Sequence, residues 1–258
     1  MSAIEFLSQP ASVSMADEWF ELATADHFWI KWRHSVLLSQ LKRAHFCGEL
    51  GLDVGCGHGL VASMVERDLG IRIDGCDLHR DALRRAERGK GRLLLYNMFD
   101  RNPEMLRAYD LLLLMDVIEH VEDDLEFIRV SLEHLKPGGI IAINVPAHMK
   151  LHSRYDEVAG HKRRYSVRNI RMLFSKTNVT PINIAQWGML LLPALLLRKV
   201  ILNLTPAERT ISAGFVPATP FVRRVLETLH HIETCIPFSP PLGTSILATA
   251  RLGHTVPT

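Results

Sequence analysis

Residues Gly51–Gly59 read GLDVGCGHG and carry the first spacing in the chain that suggests chemistry. A short apolar run ends in Gly55, Gly57 and Gly59 and passes straight into helical periodicity at Leu60. Glycines there let the main chain turn sharply and let a ligand approach the backbone. The helix that follows presents unpaired N–H groups to whatever lies above the loop. A Gly-x-Gly is by itself only a turn, but two acids narrow the reading. The spacing is GxGxG, with Leu60 where a dinucleotide fingerprint has its third glycine. Asp53 stands just before the first glycine, where its charge would oppose a diphosphate and suit a cationic amino group. Asp77 closes the next apolar run, at the offset where an acid holds ribose hydroxyls. Together they describe adenosine joined to an amino-acid tail without phosphate, which is S-adenosylmethionine.

Methyl transfer from such a donor is an in-line displacement, so the site must align nucleophile and methyl group and, for many acceptors, remove a proton. Two later segments hold groups able to do so. His120 ends MDVIEH, just past a predicted strand, and His161 lies in HSRYDEVAGHKRRY, His152 to Tyr165. Imidazoles titrate near working pH, and His161 and His120 are the expected catalytic residues. In the second segment Lys162, Arg163 and Arg164 could grip a carboxylate or phosphate. Alternatively Asp156, His161 and Arg164 lock the loop through internal bonds. Asp116, Glu119 and His120 also make a carboxylate–carboxylate–imidazole set suited to a hard divalent ion. The same residues can cap the next helix, and the expectation is that no metal is held.

The elements that must position these groups alternate. Apolar runs at Leu50–Val54, Ile71–Cys76, Leu93–Tyr96, Tyr109–Met115, Ile140–Val145, Ile182–Trp187 and Ser245–Leu252 predict strands. Helices are expected over Leu60–Leu69, over Asp81–Arg88, along Leu125, Ile128, Leu132 and Leu135, and from Ser166 to about Phe174. The fold class is therefore α/β, a mostly parallel sheet with helices on both faces. The expected organisation is an N-terminal helical cap over 1–45, a ligand-binding domain over 46–187 and 243–258, and a helical lid inserted at 188–242. The late last strand suggests an edge hairpin whose connection has grown into that lid. The run WGMLLLPALLL, Trp187 to Leu197, is shorter than the ~20 residues of a membrane span. It reads as a buried cap helix or as a helix dipping into a membrane surface. The chain has 258 residues, 30 basic and 28 acidic, and this balance disfavours a nucleic-acid-coating surface. Four cysteines without CxxC or zinc spacing, and a first stretch unlike a signal peptide, predict a reduced cytoplasmic protein.

GLDVGCGHG, GCD at Gly75–Asp77, YDLLLLMDVIEH at Tyr109–His120 and LKPGG at Leu135–Gly139 together resemble the ordered motifs of class I S-adenosylmethionine-dependent methyltransferases. The resemblance covers roughly residues 28 to 170 and the last strand. It implies a Rossmann-like seven-stranded sheet with the last strand antiparallel. It implies Asp53, Gly55, Cys56, Gly57, His58 and Met115 around the methionine part of the donor, and Asp77 with Leu78 at the ribose and adenine. Asn97 stands where many members have Asp and would meet the adenine amino group; Met98 would pack on the adenine face. MDVIEH is also similar to the ubiquinone-pathway O-methyltransferases. This similarity implies an upstream arginine on the cofactor carboxylate, matched here by Arg33, and associates the acid–acid–histidine cluster with magnesium. The expected function is methylation of a small, hydrophobic or lipid-like molecule on O, N or C, with peripheral membrane contact and no nucleic-acid partner. Alternatives are a non-catalytic S-adenosylmethionine-binding scaffold and a protein or nucleic-acid methyltransferase, although MDVI replaces the NPPY-type motif of amino-methylating nucleic-acid enzymes. A nicotinamide dehydrogenase is disfavoured by the GxGxG spacing and Asp53.

Overall fold

A computed structural model of the protein describes residues 4–11, 22–86, 89–203, 210, 219–235 and 239–254. The strands are β1 (Glu5–Phe6), β2 (Leu50–Val54), β3 (Arg72–Asp77), β4 (Leu93–Leu95), β5 (Tyr109–Met115), β6 (Leu135–Pro146), β7 (Val179–Trp187) and β8 (Ser245–Leu252). They form one sheet in the order β1-β4-β3-β2-β5-β6-β8-β7. Among these strands β8 runs opposite to the others, pairing antiparallel with both β6 and β7. Ladder order reverses between β2 and β5, so the crevice outside the carboxyl ends of these strands is where an open α/β sheet takes its ligand.

Alternation along β5 shows how the sheet is buried. Leu112 and Leu114 pack with Leu52, Val54, Ile141 and Ile143 on one face, under Phe127 and Ile128 of α4 (Asp124–Leu132) and Ile170 and Phe174 of α6 (Val167–Ser175). Leu111, Leu113 and Met115 point to the other face, where Trp32, Leu37 and Leu41 of α1 (Phe28–Arg43) and Ala62 and Val65 of α2 (Leu60–Leu69) cover them. Both faces being dry explains why β5 reads as a continuous run of leucines.

Three expectations change. The N-terminal region is not wholly helical: Glu5–Phe6 pairs in parallel with β4, making eight strands where seven were expected. The edge of β4 offers unpaired backbone groups, and the N–H groups of Leu7 and Ser8 both close on the Leu95 carbonyl at 3.0 Å. Of the expected helical cap over 1–45, residues 1–3 and 12–21 lie outside the described residues. The helix expected over Asp81–Arg88 is shorter, α3 (Arg80–Arg84), and residues 87–88 lie outside the description.

The β7–β8 hairpin is present, and its long connection carries α7 (Leu192–Asn203) and α8 (Pro220–Thr234). The apolar run Trp187–Leu197 divides: Leu191 is buried with Trp187, whereas Leu196 and Leu197 of α7 are 53% and 62% exposed. Arg198 of α7 lies over the Tyr155 ring of α5 (Arg154–Ala159), 4.4 Å from its centroid. From α8, His230 stacks on Trp32 and reaches Ser35 Oγ at 3.0 Å. No helix among the described residues is long and apolar enough to cross a membrane. The four cysteines are free thiols, Cys56 and Cys76 buried, Cys47 and Cys235 exposed.

Candidate active site

Gly55, Gly57 and Gly59 all adopt positive φ, +68°, +55° and +76°, which an L side chain resists. The loop therefore turns tightly from β2 into α2, whose N-cap Gly59 offers no side-chain cap and whose first turn bonds Asp53 through the Ala62 N–H. The Gly57 N–H donates to Asp77 Oδ2 at 2.8 Å and the His79 N–H to Asp77 Oδ1 at 2.8 Å. Asp77 thus ties the glycine loop to the end of β3, and a carboxylate with about four lone-pair sites retains capacity for two hydroxyls. Burial raises its pKa in spite of these donors.

Asp53 is 1% exposed, and its Oδ2 has no partner. Burial pushes its pKa up to about 7, although the charge of Arg33 opposes the shift. A buried carboxyl with an unbonded oxygen is suited to a cationic amine. Cys56 is buried behind the loop with its thiol pushed further up by burial, so it is packing rather than a nucleophile. His58 turns away to the Ala23 carbonyl at 3.0 Å. Leu78 is half-buried at the rim. The Asn97 amide oxygen accepts the Phe99 N–H at 3.1 Å, while the Asn97 N–H donates to Ser8 Oγ at 2.8 Å. Met98 lies 2% exposed in the core, its sulfur 3.9 Å from Cys76 Sγ.

The opposite wall is a chain of polar contacts. Arg33, 4% exposed on α1, pairs with Asp116 Oδ2 and lies over the Trp29 ring at 4.8 Å. Asp116 Oδ1 accepts from the Asn144 amide at 2.7 Å, and Asn144 Oδ1 accepts from Trp187 Nε1 at 3.0 Å. Asp116 itself has φ +62°, a left-handed backbone stabilised by its N–H to the Asn144 carbonyl at 3.0 Å. Arg33 and Met115 line one narrow crevice with Ile30, Leu37 and Met64. Asn144 and Trp187 are the site residues that sequence reasoning missed. The signal was an amide inside the otherwise apolar run IIAINV, which a buried strand tolerates only when both ends are bonded.

The third group is Glu119, His120 and His161, whose ligating atoms lie within 4.8 Å of one another. Glu119 is fully buried with neither carboxylate oxygen bonded; burial, reinforced by Asp116, raises its pKa well above the usual range. Burial, with the His161 charge adding to it, lowers His120 to about 4. The two imidazoles meet edge to face, centroids 4.9 Å apart. His161 is fixed through Nδ1 to Asp156 Oδ1 at 2.9 Å. Asp156 also takes Arg164 Nε at 2.8 Å and Nη2 at 3.1 Å. Burial would raise the Asp156 pKa, but His161 and Arg164 outweigh it and hold the carboxyl far below its ordinary value. Lys162 pairs with Glu122, and Arg163 with Asp124 at 3.2 Å. The loop cations are thus engaged in locking the loop, and that lock aims His161 at His120. The set Asp116, Glu119 and His120 does not fit a metal as the resemblance implies, because both Asp116 oxygens are committed to Arg33 and Asn144.

Residues 23–184 match the family described as "Methyltransferase domain". The chain belongs to this family. The ubiquinone biosynthesis O-methyltransferase of Caulobacter vibrioides is 37% identical over 111 residues, 39% of this chain and 42% of that protein. The chain thus aligns with less than half the length of that relative. Among solved structures, a Galdieria sulphuraria methyltransferase superposes with a TM-score of 0.59 at 17% identity, covering 96% of this chain and 95% of that one. The Haemonchus contortus phosphoethanolamine N-methyltransferase 2 in complex with S-adenosyl-L-methionine gives 0.54 at 19% identity, over 86% of this chain and 53% of that one. These likenesses confirm the α/β class and the parallel sheet with its antiparallel last strand.

Proposed function

We propose that the protein transfers the methyl group of S-adenosylmethionine to a small molecule. The observation that carries this reading is Asp77 bonded to the Gly57 N–H at the switch point, with the buried Asp53, its Oδ2 without a partner, on the adjacent strand β2. Adenosine hydroxyls rest on Asp77, with Leu78, Asn97 and Met98 on the adenine side. The methionine ammonium lies near Asp53, against Gly55, Cys56, Gly57, His58 and Met115. Arg33 faces the methionine carboxylate. The acceptor atom attacks the methyl carbon, the carbon–sulfur bond breaks with its electron pair on sulfur, and S-adenosylhomocysteine leaves. The acceptor's proton passes to the His120–His161 pair, which the Asp156 contact orients.

The exposed leucines of α7 favour a hydrophobic acceptor reached at, or near, a membrane surface. The near-neutral charge disfavours nucleic acid, and four free thiols suit a reducing compartment such as cytoplasm. Mass spectrometry of the purified protein for bound donor or product, followed by a metabolite screen with labelled methyl donor, tests the proposal. Binding without turnover across that screen would favour the scaffold alternative.

A further inference from the structure

We infer that the outward faces of α7 and α8 seat on a lipid bilayer that carries anionic headgroups. What this contact is for rests on the methyl-transfer reading above, whose acceptor it would deliver. α7 is built inside out. Pro193, Leu196, Leu197, Val200 and Ile201 recur at i, i+3, i+4, i+7 and i+8, the spacing of one helix face. In a globular protein such a stripe turns to the core, yet here every one of its members is exposed. The charges turn inward instead: Arg198 lies over the Tyr155 ring, and Lys199 Nζ donates to the Lys150 carbonyl at 2.9 Å. Leu202, fully buried, marks the side of the helix that meets the protein. α8 repeats the arrangement. Its Glu233 is buried and accepts the Leu190 N–H at 3.0 Å, whereas Phe221, Val225 and Ile232 share one outward face, with Phe221 75% exposed.

Exposed apolar side chains gathered on two helices mark a contact surface, and charge identifies the occupant. No acidic residue occurs from Gly188 to Ala207. Cations border the apolar faces instead: Lys150 and Lys199 meet beside α7, and Arg224 lies between Phe221 and Val225 on α8. Met149, exposed next to Lys150 in the turn that packs on α7, extends the apolar area. Apolar side chains at the acyl boundary with Lys and Arg at the headgroups are the two signals that together attach an interfacial helix. A second copy of the chain is disfavoured, because a self-complementary contact would set the cationic rims of both copies against each other. With 12 residues α7 is too short to span a bilayer, so it lies in the plane of the surface. Its inward face then stands over Tyr155, whose ring centroid is 6.4 Å from that of His161. A lipid-soluble acceptor would pass from the bilayer to the catalytic loop beneath this helix.

The test needs neither donor nor acceptor, so its failure leaves the methyl-transfer reading standing. The full chain is floated with vesicles of phosphatidylcholine containing about one-third phosphatidylglycerol, and with vesicles of phosphatidylcholine alone, at low and at high salt. The expected result is saturable partitioning onto the anionic vesicles that falls steeply with salt, and far less onto the neutral ones. Lys150→Gln/Arg224→Gln should weaken it roughly 25-fold, about fivefold per cation. Leu196→Gln/Leu197→Gln should weaken it at least about tenfold. All four side chains are exposed, so an unchanged Tm shows that the variants fold. Met172→Gln, exposed on α6 over the other face of the sheet, should change nothing. The inference is overturned if neither vesicle carries the protein up the gradient, if neutral and anionic vesicles bind it alike, or if the leucine pair can be replaced without loss. A dimer that Leu196→Gln/Leu197→Gln dissociates, without vesicle binding by the parent, would overturn it in favour of a second copy.

Discussion

Replacing Arg33 by Ala should destabilise the protein through Asp116. The Arg33 side chain is 5% exposed and that of Asp116 20%, so the pair is largely withdrawn from water. Breaking a buried ion pair from one side costs about 3–5 kcal/mol. Asp116 keeps its bond to the Asn144 amide at 2.7 Å and some solvent contact, which places the cost near the lower end, about 3 kcal/mol. The lost cation–π contact with Trp29 adds about 0.5–1 kcal/mol. At about 2–4 °C per kcal/mol for a domain of this size, Tm should fall by about 7–16 °C. Denaturant melts and calorimetry measure both quantities, and Arg33→Ala/Asp116→Asn should recover part of the loss because the stranded charge is gone. A loss below about 1 kcal/mol, or strictly additive variants, would refute the buried-pair argument. The same variant reports on the donor: a lost charge-assisted bond to its carboxylate is worth about 1.5–3 kcal/mol, roughly 10–100-fold in Kd. An unchanged Kd with lowered Tm would make Arg33 a support for Asp116 and not a donor contact.

Four further outcomes are expected. Asp53 has a folded pKa of about 7 against 3.8 unfolded, so below pH 7 the free protein carries a proton that a bound ammonium must displace. Donor affinity should therefore rise with pH up to about 7 and level off above it, with proton release measurable by calorimetry in buffers of different ionisation enthalpy; Asp53→Asn should remove the dependence. Without ligand the sign on stability is opposite, since a raised carboxyl pKa favours the fold at low pH and loses that contribution as pH climbs through 7. Asn144→Leu strands Trp187 Nε1 and frees Asp116, and should cost about 2–3 kcal/mol in denaturant melts, against near-zero if the amide is incidental. Glu66→Ala removes the acceptor of the Ile73, Lys90 and Gly91 N–H groups, at 2.8, 2.6 and 2.9 Å, and should cost about 2–4 kcal/mol. His161→Ala should lower turnover by about 10²–10⁴ with donor affinity unchanged; a fall in Tm alone would reduce the histidine to part of the loop lock.

The parts of the fold that were legible in sequence are those whose pattern is local. Leu50–Val54, Tyr109–Met115 and Ser245–Leu252 begin and end where the apolar runs do, because glycines, an acid or a turn punctuate each. Within the helical lid expected at 188–242, α8 begins at Pro220 behind the Thr219 cap. The two-residue strand Glu5–Phe6 was not, because pairing at a sheet edge depends on β4 arriving beside it and not on its own propensity. The same reason hid the link from Asn144 to Trp187, whose partners are 43 residues apart. Glycine spacing and Asp77 made the donor side readable, since a tight turn and a following helix are local events. The change of partner at Asp116 was not readable: Arg33 comes from a helix 83 residues earlier, and only the folded packing shows that it holds the oxygen a metal would need.

Calorimetric titration with S-adenosylhomocysteine, the product bound without turnover, tests the central claim most directly. The account predicts one-to-one binding, weakened at least about tenfold by Asp77→Ala as two ribose hydroxyl bonds are lost, and no heat with NADH. Absence of binding by the homocysteine nucleoside, or saturable binding of the pyrophosphate coenzyme in its place, would contradict it.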